Sequence, residues 1–122
     1  MADRVLYEDT VEKFSLGRST GLQTRNWKSR HMRLTRTTLA YSESPNAVPK
    51  LEVPVTAISI VFTDPSTADH PEAKGNANYL VIRMHEAGVF NLLVKCPSAE
   101  AKQKWIAAFK EALTRSKGSQ LV

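Results

Sequence analysis

Two basic residues, Lys28 and Arg30, stand at alternate positions ahead of two apolar residues, Met32 and Leu34. Successive side chains of a β-strand point to opposite faces of the sheet, so these four residues would share one face. A face that packs a core at one end does not carry two charges at the other unless those charges meet water or an anion. The spacing therefore predicts a strand that runs from a charged opening into a packed interior.

The sequence around this pair is strongly basic. The chain of 122 residues has a net charge of +5, but residues 13–42 carry +7 and contain no acidic residue, so the remainder sums to −2. The basic residues of this segment are Lys13, Arg18, Arg25, Lys28, Arg30, Arg33 and Arg36. Such a one-sided segment indicates an anionic partner, such as a phosphorylated lipid headgroup, a nucleic acid or an acidic peptide. The plain alternative is a solvated face that happens to be basic.

The elements that must hold these residues are mostly β-strands. Alternating apolar residues and turn signals predict strands over residues 11–18, 26–36, 37–41, 51–55, 57–62, 79–85 and 89–96. The inward-facing positions of the last two are Leu80, Ile82, Met84, Phe90, Leu92 and Val94, while Ile58, Ile60 and Phe62 are predicted to share one side of the fifth strand. Short strands with tight turns, such as residues 86–88, are typical of an antiparallel meander.

A helix is predicted to follow the last strand. Ser98 is the expected N-cap, and the apolar residues Ala101, Trp105, Ala108, Phe109 and Ala112 form one helical stripe. Lys102, Lys104 and Lys110 lie off that stripe. We expect Trp105 in the core, and Trp27, whose parity is opposite to that of Lys28, on the outer face of the sheet or under a loop. Seven strands and this helix suggest an open barrel or sandwich plugged at one end.

The composition is that of one soluble domain. We expect an N-terminal extension over residues 1–10, the domain over residues 11–116 and a tail over residues 117–122. No window approaches the roughly 20 apolar residues of a membrane span. A single cysteine, Cys96, forbids an internal disulfide, which fits a reducing compartment.

Signals for catalysis are poor. The His85–Glu86 pair lacks the second histidine of a zinc-protease motif, and the three histidines show no ligand spacing. Residues 17–21 read Gly-Arg-Ser-Thr-Gly, which matches a hydrolase nucleophile elbow by letters, but no strand–turn–helix surrounds them. Cys96 alternates with apolar residues and is expected to be buried. We therefore expect no enzyme, no metal and no cofactor.

Three stretches together resemble the pleckstrin homology (PH) domain family, and the likeness runs from about residue 11 to residue 114. They are residues 27–35 (Trp-Lys-Ser-Arg-His-Met-Arg-Leu-Thr), residues 35–41 (Thr-Arg-Thr-Thr-Leu-Ala-Tyr) and residues 100–106 (Glu-Ala-Lys-Gln-Lys-Trp-Ile). The resemblance implies a mainly β fold: a seven-stranded, strongly bent antiparallel sandwich or barrel capped by one C-terminal α-helix.

The resemblance also implies a binding site for a phosphoinositide headgroup. Positions that match the family's ligand pattern are Arg18, Lys28, Arg30, Tyr41 and Lys50, and Arg25 is a candidate contact with the membrane surface. At the first of these, Arg18, the family usually has lysine. The expected role is binding of anionic lipid at the cytosolic face of a membrane, as a peripheral part of a larger signalling protein. The alternative is a protein-interaction module on the same scaffold, and nucleic-acid binding is not expected.

Overall fold

A computed structural model describes residues 4–16, 27–63, 78–85, 89–114 and 120–121 of the chain. Within these ranges the backbone forms β1 (Val5–Leu16), β2 (Lys28–Thr35), β3 (Thr38–Ser42), β4 (Leu51–Pro54), β5 (Ile58–Phe62), β6 (Tyr79–His85), β7 (Val89–Lys95), α1 (Ala99–Thr114) and β8 (Gln120–Leu121). A short 3-10 turn, Val55–Ala57, joins β4 to β5. The predicted seven antiparallel strands and C-terminal helix are confirmed.

Strand β1 joins the two halves of the sandwich. The strands lie in the order β4-β3-β2-β1-β7-β6-β5-β8, and every described pair is antiparallel except β5 with β8. Residues 5–13 of β1 pair with β2, and residues 12–16 pair with β7. Since both partners meet β1 at residues 12 and 13, this is the point where the chain passes from one half to the other.

The helix closes the end of the sandwich where β1 begins and β2 ends. The Ser98 hydroxyl accepts a hydrogen bond from the Ala101 amide at 3.0 Å, so the predicted N-cap is confirmed. Trp105 is fully buried, and its ring meets that of Tyr7 edge to face, with 4.7 Å between centroids. Tyr7 lies opposite Leu34 on β2, so the helix packs over the apolar end of that strand. The inward positions predicted for β6 are also buried in this core.

A second apolar cluster lies on the outer face of the half formed by β5, β6 and β7. Its buried members are Phe14, Phe62, Tyr79, Val81 and Leu93, with Trp27 and Ile60 packed against them. The Trp27 ring stacks on Tyr79 with 5.3 Å between centroids and also contacts Phe14 at 5.4 Å. The predicted outer position of Trp27 is therefore confirmed.

Two predictions about individual strands are wrong. Strand β1 begins at Val5, six residues earlier than predicted, because its mixed-sign residues pair with β2. Ile58, Ile60 and Phe62 do not share a side, because the register shifts between Ile58 and Ile60. That irregularity turns Ile58 and Val61 into the main core and leaves Ile60 and Phe62 with the outer cluster.

The helix also buries a residue that the apolar stripe excluded. Lys102 is only 8% exposed, because it lies in the first turn where the helix meets the strands. Lysine can bury its aliphatic stem in such a position while its ammonium reaches a polar neighbour. No helix in the described parts of the chain is long and apolar enough to cross a membrane.

Candidate functional site

The predicted strand with one cationic and one apolar end is confirmed by β2. Met32 and Leu34 are fully buried in the core, Arg30 is partly buried and Lys28 is exposed. These four residues alternate along the strand and share its inner face. The cationic end therefore lies at the opposite end of β2 from the helix.

A lysine outside the family's ligand pattern, Lys13, stands beside Lys28. Lys13 on β1 lies directly opposite Lys28, one step beyond the Val11–Arg30 pair, and Val11 belongs to the core. Residues opposite one another on antiparallel strands have Cα atoms about 5 Å apart and share a face. We call this end of the sandwich, marked by Lys13, Lys28 and Arg30, the mouth.

Aromatic residues on the outer face hold both lysines at the mouth. Phe14 follows Lys13, Trp27 precedes Lys28, and the two rings contact each other in the outer cluster. Because neighbouring side chains of a strand point to opposite faces, burying Phe14 and Trp27 outside directs the two lysines inward. The position of the cations is thus fixed by apolar packing on the other side of the sheet.

Arg30 stands at the boundary between the core and the mouth. One of its guanidinium nitrogens, Nη1, donates to the carbonyl of Ser29 at 2.8 Å. Its Nε is buried and has no hydrogen-bond acceptor in the described part of the chain. A guanidinium carries five donors and can grip a phosphate with two parallel hydrogen bonds, so Arg30 keeps donors for a ligand. Lys28 lies two residues away, about 7 Å by the rise of a strand.

Tyr41 lies under the mouth and faces the core. It is opposite Met32 on β2 and Leu51 on β4, and it is 9% exposed. The Lys13 ammonium lies 4.9 Å from the centroid of its ring, which is a cation–π contact. This contact places the Tyr41 ring where it supports Lys13.

Lys50 is tied to the end of the strand that carries Tyr41. Its backbone amide donates to the Tyr41 carbonyl at 2.8 Å. Its ammonium forms an ion pair with Glu43 at 3.2 Å, and both side chains are about half exposed. The remaining predicted site residues, Arg18 and Arg25, lie outside the described residues.

The predicted site residues did not include Lys13, and the reason can be identified. The basic segment begins at Lys13. Lys13 stands two residues from the apolar Val11, just as Arg30 stands two residues from Met32, so in each strand a cation shares a face with an apolar residue. This spacing could have identified Lys13 from the sequence, because it predicts a cation at one end of a core-facing strand. The family pattern instead drew the first basic contact to Arg18, and only the register between β1 and β2 reveals that Lys13 faces Lys28.

The Cys96 thiol and the possible metal ligands are the groups to consider for reactive chemistry among the described residues. Burial raises the pKa of the Cys96 thiol to about 12, although the nearby charge of Lys102 acts in the opposite direction. A thiol in that state is a poor nucleophile. Among the described residues no three His, Cys, Asp or Glu side chains are grouped as metal ligands. The Gly-Arg-Ser-Thr-Gly motif of residues 17–21 and Glu86 lie outside the described ranges.

A comparison with protein-family models identifies the fold and its family. The model described as PH domain matches residues 6–114. The chain belongs to the PH domain family. A sequence search of curated proteins finds no match.

Solved structures of other PH domains share this fold at low sequence identity. The C-terminal PH domain of pleckstrin, solved with D-myo-Ins(1,2,3,5,6)P5, is 16% identical over 92% of this chain and 98% of that chain, with a TM-score of 0.64. The Slm1 PH domain, solved with D-myo-inositol-4-phosphate, is 15% identical over 93% of this chain and 96% of that chain, with a TM-score of 0.62.

A third structure places the same fold inside a larger protein. An activated truncation of Vav1 is 17% identical over 92% of this chain, with a TM-score of 0.67. This chain spans 27% of that protein's chain. These likenesses concern the fold alone, so what this PH domain binds has to be argued from its own mouth.

Proposed function

We propose that this PH domain binds phosphorylated inositol headgroups at the mouth and thereby brings the protein that contains it to the cytosolic face of a membrane. The observation that carries the proposal is the placement of Lys13 directly opposite Lys28, with Arg30 one pair further in. Like charges opposite one another destabilise a sheet, and an anion that lies between them relieves that repulsion.

The proposed contacts differ between the cations of the mouth. Arg30 grips one phosphate through its guanidinium, while Lys13 and Lys28 act as point charges on the same or a neighbouring phosphate. Tyr41 holds Lys13 in place through the cation–π contact. Lys50 adds a charge from the loop before β4, and Arg18 and Arg25 remain proposed contacts on the strength of the sequence pattern. The inositol phosphates in the pleckstrin and Slm1 structures support the ligand class.

Charge alone gives only a weak encounter with a membrane. Each basic residue near an anionic surface contributes roughly 1 kcal/mol, and this contribution falls within a Debye length as salt increases. Selective contacts with phosphate groups must supply the remainder. The proposal therefore requires saturable binding at moderate salt, with a preference among phosphoinositide isomers.

The test is a vesicle-binding panel across phosphoinositide isomers, carried out with the whole chain. We expect the Lys28→Ala/Arg30→Ala double variant to lose roughly 2 kcal/mol, or about thirtyfold in affinity, from the two charges alone. The matched control is Lys104→Ala/Lys110→Ala, which removes the same charge from exposed positions on the helix. That control should stay within about twofold of the original chain.

Two results would contradict the proposal. One is the absence of saturable binding to both vesicles and soluble inositol phosphates at moderate salt. The other is an equal loss of affinity in the two double variants, which would mean that the chain responds to net charge and not to the mouth.

A protein-interaction role on the same scaffold is the second candidate. A critical structural role is described for the PH and C1 domains of the Vav1 exchange factor, whose structure shares this fold. A cleft of about 170 Å³ on the outer face of this chain, between β2, β3 and the loop that contains Pro45 and Pro49, gives such a role a surface. A protein partner captured equally by the original chain and by Lys28→Ala/Arg30→Ala would favour this candidate over lipid binding.

A further inference from the structure

The loop between β3 and β4 pairs an acidic side chain with Lys50, one of the proposed headgroup contacts. Residues 13–42 contain no acidic residue, and Glu43 is the first one after them. Its carboxylate lies 3.2 Å from the Lys50 ammonium. The Lys50 backbone amide donates to the carbonyl of Tyr41, whose ring supports Lys13, so the residue that carries this ion pair is hydrogen-bonded to the residue beneath Lys13.

We propose that Glu43 is an internal competitor for the headgroup, which rests on the function proposed above. Its carboxylate forms an ion pair with the Lys50 ammonium, which would otherwise be available to a phosphate. A ligand phosphate at this position must displace Glu43 from Lys50. Glu43 thereby lowers the affinity of the mouth and selects for ligands whose phosphates engage Lys50 strongly enough to replace it.

The ion pair is suited to exchange because it is exposed. The side chains of Lys50 and Glu43 are 47% and 63% exposed, so water and salt screen their attraction. Exposed pairs contribute little to stability, so breaking this one does not threaten the fold. Glu12, near the other side of the mouth, is engaged elsewhere, with its carboxylate 3.5 Å from the Lys95 ammonium.

The experiment measures the affinity of the whole chain for soluble inositol 1,3,4,5-tetrakisphosphate by calorimetry. We expect Glu43→Gln to bind about threefold more tightly than the original chain, the size expected when one exposed ion pair is removed. In a Lys50→Ala background the same substitution should change affinity by less than about 1.5-fold. The loss of the effect in that background distinguishes a local competition from a general change of charge.

The matched control is Glu52→Gln, which removes the same charge from an exposed position. Glu52 lies on the outer face, where it lines the cleft and stands opposite Ala40. We expect this variant to stay within about 1.5-fold of the original affinity, because Lys50 pairs with Glu43 and not with Glu52, and Glu52 lies on the far side of the sheet from Lys13, Lys28 and Arg30.

Each outcome decides between the two proposals. If the original chain binds and Glu43→Gln matches Glu52→Gln, the competitor role is overturned while the lipid-binding function stands. If only Glu43→Gln binds measurably, the competitor role is supported in its strongest form. If neither the original chain nor Glu43→Gln binds inositol 1,3,4,5-tetrakisphosphate, the proposed function fails and this inference fails with it.

Discussion

The two ends of the sandwich are built from the same strands by opposite means. At the closed end Tyr7 on β1 and Leu34 on β2 face each other under the buried Trp105. At the mouth the same two strands place Lys13 opposite Lys28. One end gains stability by removing apolar surface from water, and the other sets like charges side by side at a cost to stability.

The basic residues of the segment divide between the two ends in the same way. Toward the closed end the cations are neutralised: Arg33 pairs with Glu8 at 3.2 Å, and Arg36 pairs with Glu111 at 3.7 Å. Lys28 and Arg30 form no ion pair with any described acidic residue. Part of the charge run is thus ordinary salt-bridged surface, while Lys28 and Arg30 belong to the part to which we assign the proposed binding.

The largest expected effect is on the closed end. Trp105→Ala removes a fully buried ring and should lower the free energy of unfolding by about 3–5 kcal/mol, measured by urea denaturation followed by circular dichroism. Trp105→Phe fills part of the space and should cost less, which keeps the test informative if the alanine variant does not fold. Headgroup affinity of the folded phenylalanine variant should be unchanged, and a large loss would mean that the two ends are coupled.

A smaller effect of opposite sign is expected at the mouth. Lys28→Gln removes one of two facing charges and should raise the free energy of unfolding by about 0.5 kcal/mol without ligand, while it weakens headgroup binding. Thermal melts at low salt provide the measurement, and the gain should shrink as salt increases. The control is Lys110→Gln, an exposed helix position. Destabilisation by Lys28→Gln would show that the lysine packs at the mouth instead of repelling its neighbour.

Most of the correct predictions from the sequence came from the alternation of inward and outward residues within single strands. Met32, Leu34, Leu80 and Ile82 are buried as expected, because each strand displays its own two-residue period wherever one face packs a core. The outer position of Trp27 followed from the same period. These features are local, so they need no knowledge of which strands are neighbours.

The sequence pattern could not predict the features that depend on which strands pair and in which register. The Lys13–Lys28 pair exists because β1 and β2 meet in one register, which no single strand encodes. The split of Ile58 from Ile60 comes from a register irregularity against β6. The Lys50–Glu43 ion pair is made by a loop that brings its two ends together. The proposed function of the mouth therefore rests on the part of the fold that alternation does not predict.

A last small effect concerns the closed end of the sandwich. The hydrogen bond from His31, at 2.7 Å, and the nearby Arg33 hold the pKa of Glu8 below its ordinary value. A lowered native pKa stabilises the fold above the unfolded pKa, and this contribution is lost as pH falls through the native one.

Glu8→Gln should therefore lower the free energy of unfolding at pH 7 by less than about 1 kcal/mol, because the pair is exposed. The difference from the original chain should close as the pH falls below about 4, in thermal melts across that range. Headgroup affinity should not change, since Glu8 lies on the outer face, away from the cations of the mouth. A difference that stays constant with pH would assign Glu8 a packing role, and a change in affinity would show that Arg33 and the cations of the mouth act as one group.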